Sequence, residues 1–299
     1  MRVSFAIQKE TTLISLNQKQ ESMMRLSDQI SSGVRFNSPS DDPFSWAQSM
    51  DVKQGLREYD AILGNINYAT GWNNATDSAL NHLSDLVSQA RQTAISSQSP
   101  SAPDQIDALV AQMDEIIKET VSGANSMYGD KYLFSGTKTS TPPYTFTSGT
   151  ITYNGDTDHI SVRTDRGGTG TSTINQTGPD VMDFTSGGTT LNVVTEMWNL
   201  REAIRTGDAT TITNKLGTLQ DAFTSIGKQS TIVGTRLASY DNQVSAINTI
   251  KVNEKSNLSD LQETDLTDAI VTIQQEQTAF QAALQVTGMM KDLNLVNFI

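Results

Sequence analysis

Two long stretches of the chain place their seam residues at alternating steps of three and four. The first runs Tyr59, Ile62, Ile66, Ala69, Asn73, Thr76, Leu80, Leu83, Val87, Ala90, Ala94. The second runs Ile212, Leu216, Leu219, Phe223, Ile226, Ser230, Val233, Leu237, Tyr240, Val244, Ile247. That spacing is the seam of a coiled-coil-like helix. Two seams of similar length predict two long helices packed on each other. Pro43 and Ser99-Pro100 bound the first, which would be about 80 Å long at 1.5 Å per residue. A shorter amphipathic helix carries Ile106, Leu109, Val110, Met113, Ile116 and Ile117, with Pro103 and Asp104 in its first turn. Another short helix is expected near Leu191 to Arg205. Together these predict an elongated helical bundle.

From Tyr132 to Gly188 the pattern changes to Thr, Ser, Gly and Asn. Tyr144-Thr-Phe146 and Ile151-Thr-Tyr153 alternate at period two across Ser148-Gly149, and His159-Ile-Ser-Val-Arg163 alternates as well. Asn154-Gly155 and Gly167-Gly168 are turn signals. A small β domain inserted between the helical arms is expected, in preference to a flexible linker.

The ends form a third region. Leu13, Leu16, Met23 and Ile30 fall on one seam, with Gln20 and Ser27 between them. Leu266, Ile270, Ile273, Phe280 and Leu284 do the same, with Gln277 between. Helices of this kind are marginal in water until packed. Arg2, Lys9, Lys19, Arg25 and Arg35 outnumber the acids in residues 1–35, whereas acids dominate residues 251–299. The N- and C-terminal helices are therefore expected to pair with each other and then with neighbouring subunits. The fold class is mainly α with an inserted small β domain, a coiled-coil-like bundle. The expected segments are 1–42 (N-terminal assembly helix and loop), 43–130 (first bundle arm), 131–190 (β domain), 191–256 (second arm) and 257–299 (C-terminal assembly helix).

Composition narrows the function. Lys+Arg 21 against Asp+Glu 33 gives a formal net charge of -12 over 299 residues. That disfavours nucleic acid, which needs a basic face, and an anionic membrane surface. Cys is 0, so neither disulfides nor thiolate chemistry is available. Hydrophobic residues at 36% are lean for a globule of this size and suit thin helical cores completed by partners. The N-terminus, with its apolar stretch broken by Ser4 and ended by Gln8, does not read as a secretory signal. No apolar run approaches the roughly 18 residues of a membrane span, so no membrane insertion is expected.

Candidate chemistry is sparse. His82 and His159 are far apart and give no metal-ligand spacing. No Gly-x-Ser-x-Gly elbow or Walker loop is present. Gly167-Gly168-Thr-Gly170 lies among turn signals, Asp41-Asp42 reads as a cap, and Asp265 and Asp268 read as solvated. The Asn-x-Thr/Ser sites at Asn74, Asn175 and Asn257 carry no weight without a secretory signal. No catalytic, cofactor-binding or metal residue is expected, and the chain does not read as an enzyme.

The stretch Gln29-Ile-Ser-Ser-Gly-Val-Arg-Phe-Asn-Ser-Pro-Ser-Asp-Asp-Pro43 reads physically as helix, stop, loop and helix start: Gly33 closes a helix, Asn37 to Ser40 form a loop, and Asp42-Pro43 open the next helix. It also resembles the N-terminal signature of the bacterial flagellin family, including the hook-associated junction proteins, through Ser31, Ser32, Gly33, Arg35, Asp41, Asp42 and Pro43. Gly129-Asp-Lys-Tyr-Leu-Phe-Ser-Gly-Thr-Lys-Thr139 with Pro142-Pro143-Tyr144 is similar to the helix-to-β junction of those proteins. Ile151-Thr-Tyr-Asn-Gly-Asp156 is similar to the strand and turn that follow it. Asn257-Leu-Ser-Asp-Leu-Gln-Glu-Thr-Asp-Leu-Thr-Asp-Ala-Ile270 and Ala283-Leu-Gln-Val-Thr287 are similar to their C-terminal helix. The resemblance implies a ring of subunits between hook-associated protein 1 and the flagellin filament. It also implies type III export without a cleaved signal, a cytosolic export chaperone, and an extracellular location on the flagellum. The assembly contacts expected from the terminal seams are Leu13, Leu16, Met23, Ile30, Ile270, Ile273, Phe280 and Leu284. The alternatives are a short flagellin that forms the filament itself and a soluble coiled-coil adaptor.

Overall fold

The structure, a computed structural model, describes residues 2–99, 103–147 and 149–296. Pro100, Ser148 and residues 297–299 lie outside the described residues. The elements run α1 (Arg2–Ser32), α2 (Pro43–Ser96), α3 (Pro103–Ala124), β1 (Met127–Tyr128), β2 (Lys131–Tyr132), β3 (Tyr144–Thr147), β4 (Thr150–Tyr153), β5 (Ser161–Arg163), β6 (Thr171–Thr173), α4 (Gly178–Met182), β7 (Asp183–Ser186), β8 (Thr189–Asn192), α5 (Val193–Thr206), α6 (Ala209–Gln262) and α7 (Leu266–Val296). The mainly α class with an inserted β region is what the sequence predicts. Two compact units form, one from residues 58–249 and the other from residues 1–57 with 250–299; α2 and α6 contribute to both.

In the unit of residues 58–249 the two predicted seams are the core. On α2, Ile62, Ile66, Ala69, Asn73, Thr76, Leu80, Leu83, Val87, Ala90 and Ala94 are all buried. On α6, Ile212, Leu219, Ile226, Val233, Tyr240 and Ile247 are buried at every seventh residue, and Leu216, Phe223, Leu237 and Val244 between them are half-buried. The helices run antiparallel: Ser230 Oγ donates to Asp77 Oδ1 at 2.8 Å, and Gln98 Nε2 donates to Thr213 Oγ1 at 3.2 Å. A second stripe on α2, Trp72, Ala79, Leu86 and Thr93, is buried too and was not expected. It exists because α2 has another neighbour besides α6. A Cβ on Gly123 of α3 would lie 3.1 Å from Leu83 Cδ2, so the Leu83 side chain of α2 reaches the α3 backbone at this glycine. Helix α5 packs on α3, where Arg201 forms a bidentate pair with Asp114 at 2.9 and 3.1 Å and lies over Trp198.

The β region is not one sheet. It is four separate antiparallel hairpins, β1–β2, β3–β4, β5–β6 and β7–β8, each anchored on helices or on a neighbouring loop. Strands of two to four residues expose too little apolar surface to fold alone, so burial against the helices decides their fate. Tyr128 of β1 packs on Tyr68 and Trp72 of α2, and its hydroxyl occupies the space above Gly71. The segment Leu133-Phe-Ser-Gly-Thr137 turns at Gly136, whose φ is 70°. Leu133, Phe134 and Ser135 are buried. Asp156 accepts the Thr137 amide and hydroxyl, both at 2.7 Å, and the Tyr153 hydroxyl donates to the carbonyl of Asp156 at 2.6 Å. The motif similar to the helix-to-β junction is therefore a turn built to meet the one similar to the strand and turn.

Candidate assembly interface

Helices α1 and α7 form an antiparallel pair, rooted where the α1–α2 connector meets the α6–α7 connector. Val34 bridges to Glu263, Arg35 N donates to Gln262 O at 2.7 Å, and Thr264 N donates to Gly33 O at 3.1 Å. The signature residues build this root. Gly33 has a φ of 71° and donates its N–H to Gln29 O, ending α1. Ser31 Oγ donates to Asp28 O, and Ser32 Oγ accepts from Val34 N and Asn37 Nδ2. Asp41 Oδ2 accepts the amides of Asn37 and Ser38. These bonds, led by the Ser38 amide, hold its carboxyl below the usual range. Asp42 Oδ1 caps α2 through the Ser45 amide at 3.0 Å, followed by Pro43 at the first helical position. Arg35 reaches Asp42 at 3.4 Å and Ser45 at 3.2 Å. Phe36, 3% exposed and edge-on against Trp46, anchors the connector, a role that the helix, stop and cap pattern of this stretch does not reveal.

Along the pair, α1 turns Thr12, Leu16, Lys19, Met23, Leu26 and Ile30 inward. Helix α7 turns in Ala269, Ile273, Glu276, Phe280, Ala283 and Thr287. Both sets step 4, 3, 4, 3, 4. The Lys19–Glu276 ion pair at 2.7 Å sits on this seam. The inward seams thus differ from the expected ones. Of the eight expected contact residues, Leu16, Met23, Ile30, Ile273 and Phe280 face the partner helix of the same chain. Leu13, Ile270 and Leu284 are exposed. The structure joins them with exposed residues the seams did not include: Ile7, Ile14 and Met24 on α1, and Val271, Val286 and Met289 on α7. Val271, Gln275, Thr278, Ala282 and Met289 follow a helical stripe of their own. Helix α7 therefore carries apolar side chains on three sides, and α1 covers one. A helix apolar all round belongs in a buried environment.

His82 and His159 are both exposed, and no group of three metal-binding side chains occurs among the described residues. The Gly167-Gly168 turn offers no free anion cradle, since Asp165 Oδ1 already accepts the Gly168 amide at 2.8 Å. Asp265 and Asp268 are exposed, as expected, and Asp265 also caps α7 by accepting the amides of Thr267 and Asp268. Asn175 is fully buried and bonded to the main chain at Ile160 and Asp158. No helix among the described residues is long and apolar enough to cross a membrane.

Residues 3–139 match the bacterial flagellin N-terminal helical region. That stretch, just under half of the chain, is similar to the bacterial flagellin family. Over part of its length the chain resembles flagellar hook-associated protein 3. It is 25% identical to that protein of Salmonella typhimurium over 167 residues, 55% of this chain and 52% of the relative. With the Escherichia coli protein it shares 23% identity over 185 residues, 61% and 57% of the two lengths. The chain thus spans about half the length of the curated relatives it matches. A solved flagellar hook-associated protein of Vibrio parahaemolyticus superposes with a TM-score of 0.68 at 20% identity, over 75% of this chain and 100% of that one. At that identity the likeness shows a shared fold. The flagellin-type signature, Ser31 to Pro43, coincides with the root of the helix pair.

Proposed function

We propose that the chain is a structural subunit of the bacterial flagellum, and that its α1–α7 pair is the part that assembles. The observation that carries this reading is the uncovered apolar surface of α7. Leu266, Ile270, Val271, Leu284, Val286 and Met289 are all between 43% and 64% exposed. A solitary pair would leave that surface to water, which is unfavourable at roughly 25 cal/mol per Å². Copies of the same chain packed side by side would bury it.

The finer reading is a ring at the junction between hook-associated protein 1 and the flagellin filament, on the extracellular flagellum. Subunits would travel there by type III export, with a cytosolic chaperone covering the terminal helix beforehand. The resemblance to hook-associated protein 3 supports this placement. A solved flagellar junction protein of Legionella pneumophila, with a TM-score of 0.62, shares the fold. The test is a strain lacking the gene, viewed by electron microscopy with flagellin assayed in the medium. Bare hooks with flagellin shed into the medium are expected. Normal filaments would contradict a junction role, and bare hooks without shed flagellin would favour a filament subunit instead.

A further inference from the structure

We propose that the β5–β6 hairpin and the segment leaving it form a clasp that holds α2 and α6 together across the most polar part of their seam. At that level α2 presents Asn73 and Thr76 and α6 presents Ser230, side chains that contribute little apolar contact. A seam asparagine weakens a helix pair unless a partner answers its amide. Asn73 Nδ2 donates to the carbonyl of Ala69 on its own helix at 2.8 Å and, across to the clasp, to the carbonyl of Ile174 at 3.2 Å.

The clasp grips both helices. On α2 it is fastened at Glu58, which accepts from Arg166 Nε at 2.8 Å, and at Asn65, which donates to the carbonyl of Arg163 at 3.1 Å. Positions 58, 65 and 73 lie seven and eight residues apart, so they share one face along about 22 Å of helix. On α6 it is fastened by Tyr240, whose hydroxyl shares a 2.9 Å bond with that of Ser172, and by Arg236, which donates to the carbonyl of Asn175 at 3.3 Å. Asn73, Ile174, Asn175 and Tyr240 are each 0% exposed, so the crossing is interior rather than surface decoration. Asn175 also ties the clasp to itself, accepting from Ile160 N at 2.9 Å and donating to Asp158 O at 3.2 Å. The crossing segment therefore arrives already shaped.

The triple variant Asn73→Leu, Arg236→Met, Tyr240→Phe in the full chain tests this. Each change keeps the apolar body of the side chain and removes its polar hold on the clasp; Asn73→Leu also removes the bond to Ala69 within α2. If seam packing alone closed the pair, the variant would be as closed as the parent. The clasp instead predicts amide exchange at least tenfold faster at residues 69–80, 172–174 and 230–240. Exchange near Leu86 to Ala94 and Met113 to Thr120 stays at the parent rate. Unchanged or slower exchange in the first set overturns the proposal. So does a uniform acceleration across residues 58–249, or loss of the helical circular dichroism signal, because either would make these side chains general supports of the core.

Discussion

The backbone N–H of Thr264 donates to the carbonyl of Gly33 at 3.1 Å, fastening the turn that ends α1 to the approach of α7, main chain to main chain. Gly33 can hold this position because its φ of 71° suits a residue without Cβ. Gly33→Val puts a β-branched side chain there, at a cost on the order of 1–2 kcal/mol. The expected result is faster exchange at the Thr264 amide and earlier proteolysis of α1 and α7. The unit of residues 58–249 should keep its thermal transition.

Acid should loosen the same root. Hydrogen bonds from the Ser38 and Asn37 amides hold Asp41 low, and the Ser45 hydroxyl and amide do the same for Asp42. Both folded values lie below the unfolded value of about 3.9. The stability they contribute is present above that value and is lost as pH falls through it toward the folded values. Melting curves of wild type and Asp41→Ala should differ at pH 6, and the difference should shrink as pH falls below the unfolded value.

Asp183 has the opposite sign. Burial raises its pKa, only partly offset by the bond from Asn192. Its charge therefore opposes folding once pH rises above the unfolded value. Asp183→Asn removes the charge and keeps an oxygen for Asn192. The variant should melt no lower than wild type at pH 7, with the comparison shifting against it as pH is lowered.

Inner and outer residues of the terminal pair should separate folding from assembly. Phe280→Ala removes a half-buried ring from the α1–α7 seam and should weaken the pair by roughly 1.5–3 kcal/mol. Leu284→Ala, at 49% exposure, should change monomer stability by less than about 0.5 kcal/mol. Chemical denaturation of the isolated chain, followed by exchange at α7 amides, distinguishes the two.

The long seams were legible because each face of α2 and α6 obeys one uninterrupted 3–4 rhythm. The stripe through Trp72 and Leu86 was not, since a heptad reading assigns one partner per helix and α2 has two. At the ends the rhythm left the phase open. With apolar residues on several sides of α7, the series through Ile270 and Leu284 fits as well as the one through Ala269 and Ala283. What selects the second is tertiary: the Lys19–Glu276 pair and the bonded connectors, which join residues more than 220 apart in sequence. The signature could be read as helix, stop and cap from Gly33 and Asp42. Its main-chain bonds to Gln262 and Thr264 could not be read, because backbone pairing leaves no side-chain pattern.

The central claim is that the exposed apolar side chains of α7 join subunits. It is tested most directly by complementing a strain lacking the gene with Ile270→Ser, Leu284→Ser, Val286→Ser and counting filaments by electron microscopy. The purified variant should match the wild-type thermal transition, since these side chains are already exposed. The account predicts bare hooks with exported variant and flagellin both free in the medium. Filaments at wild-type number and length would contradict it.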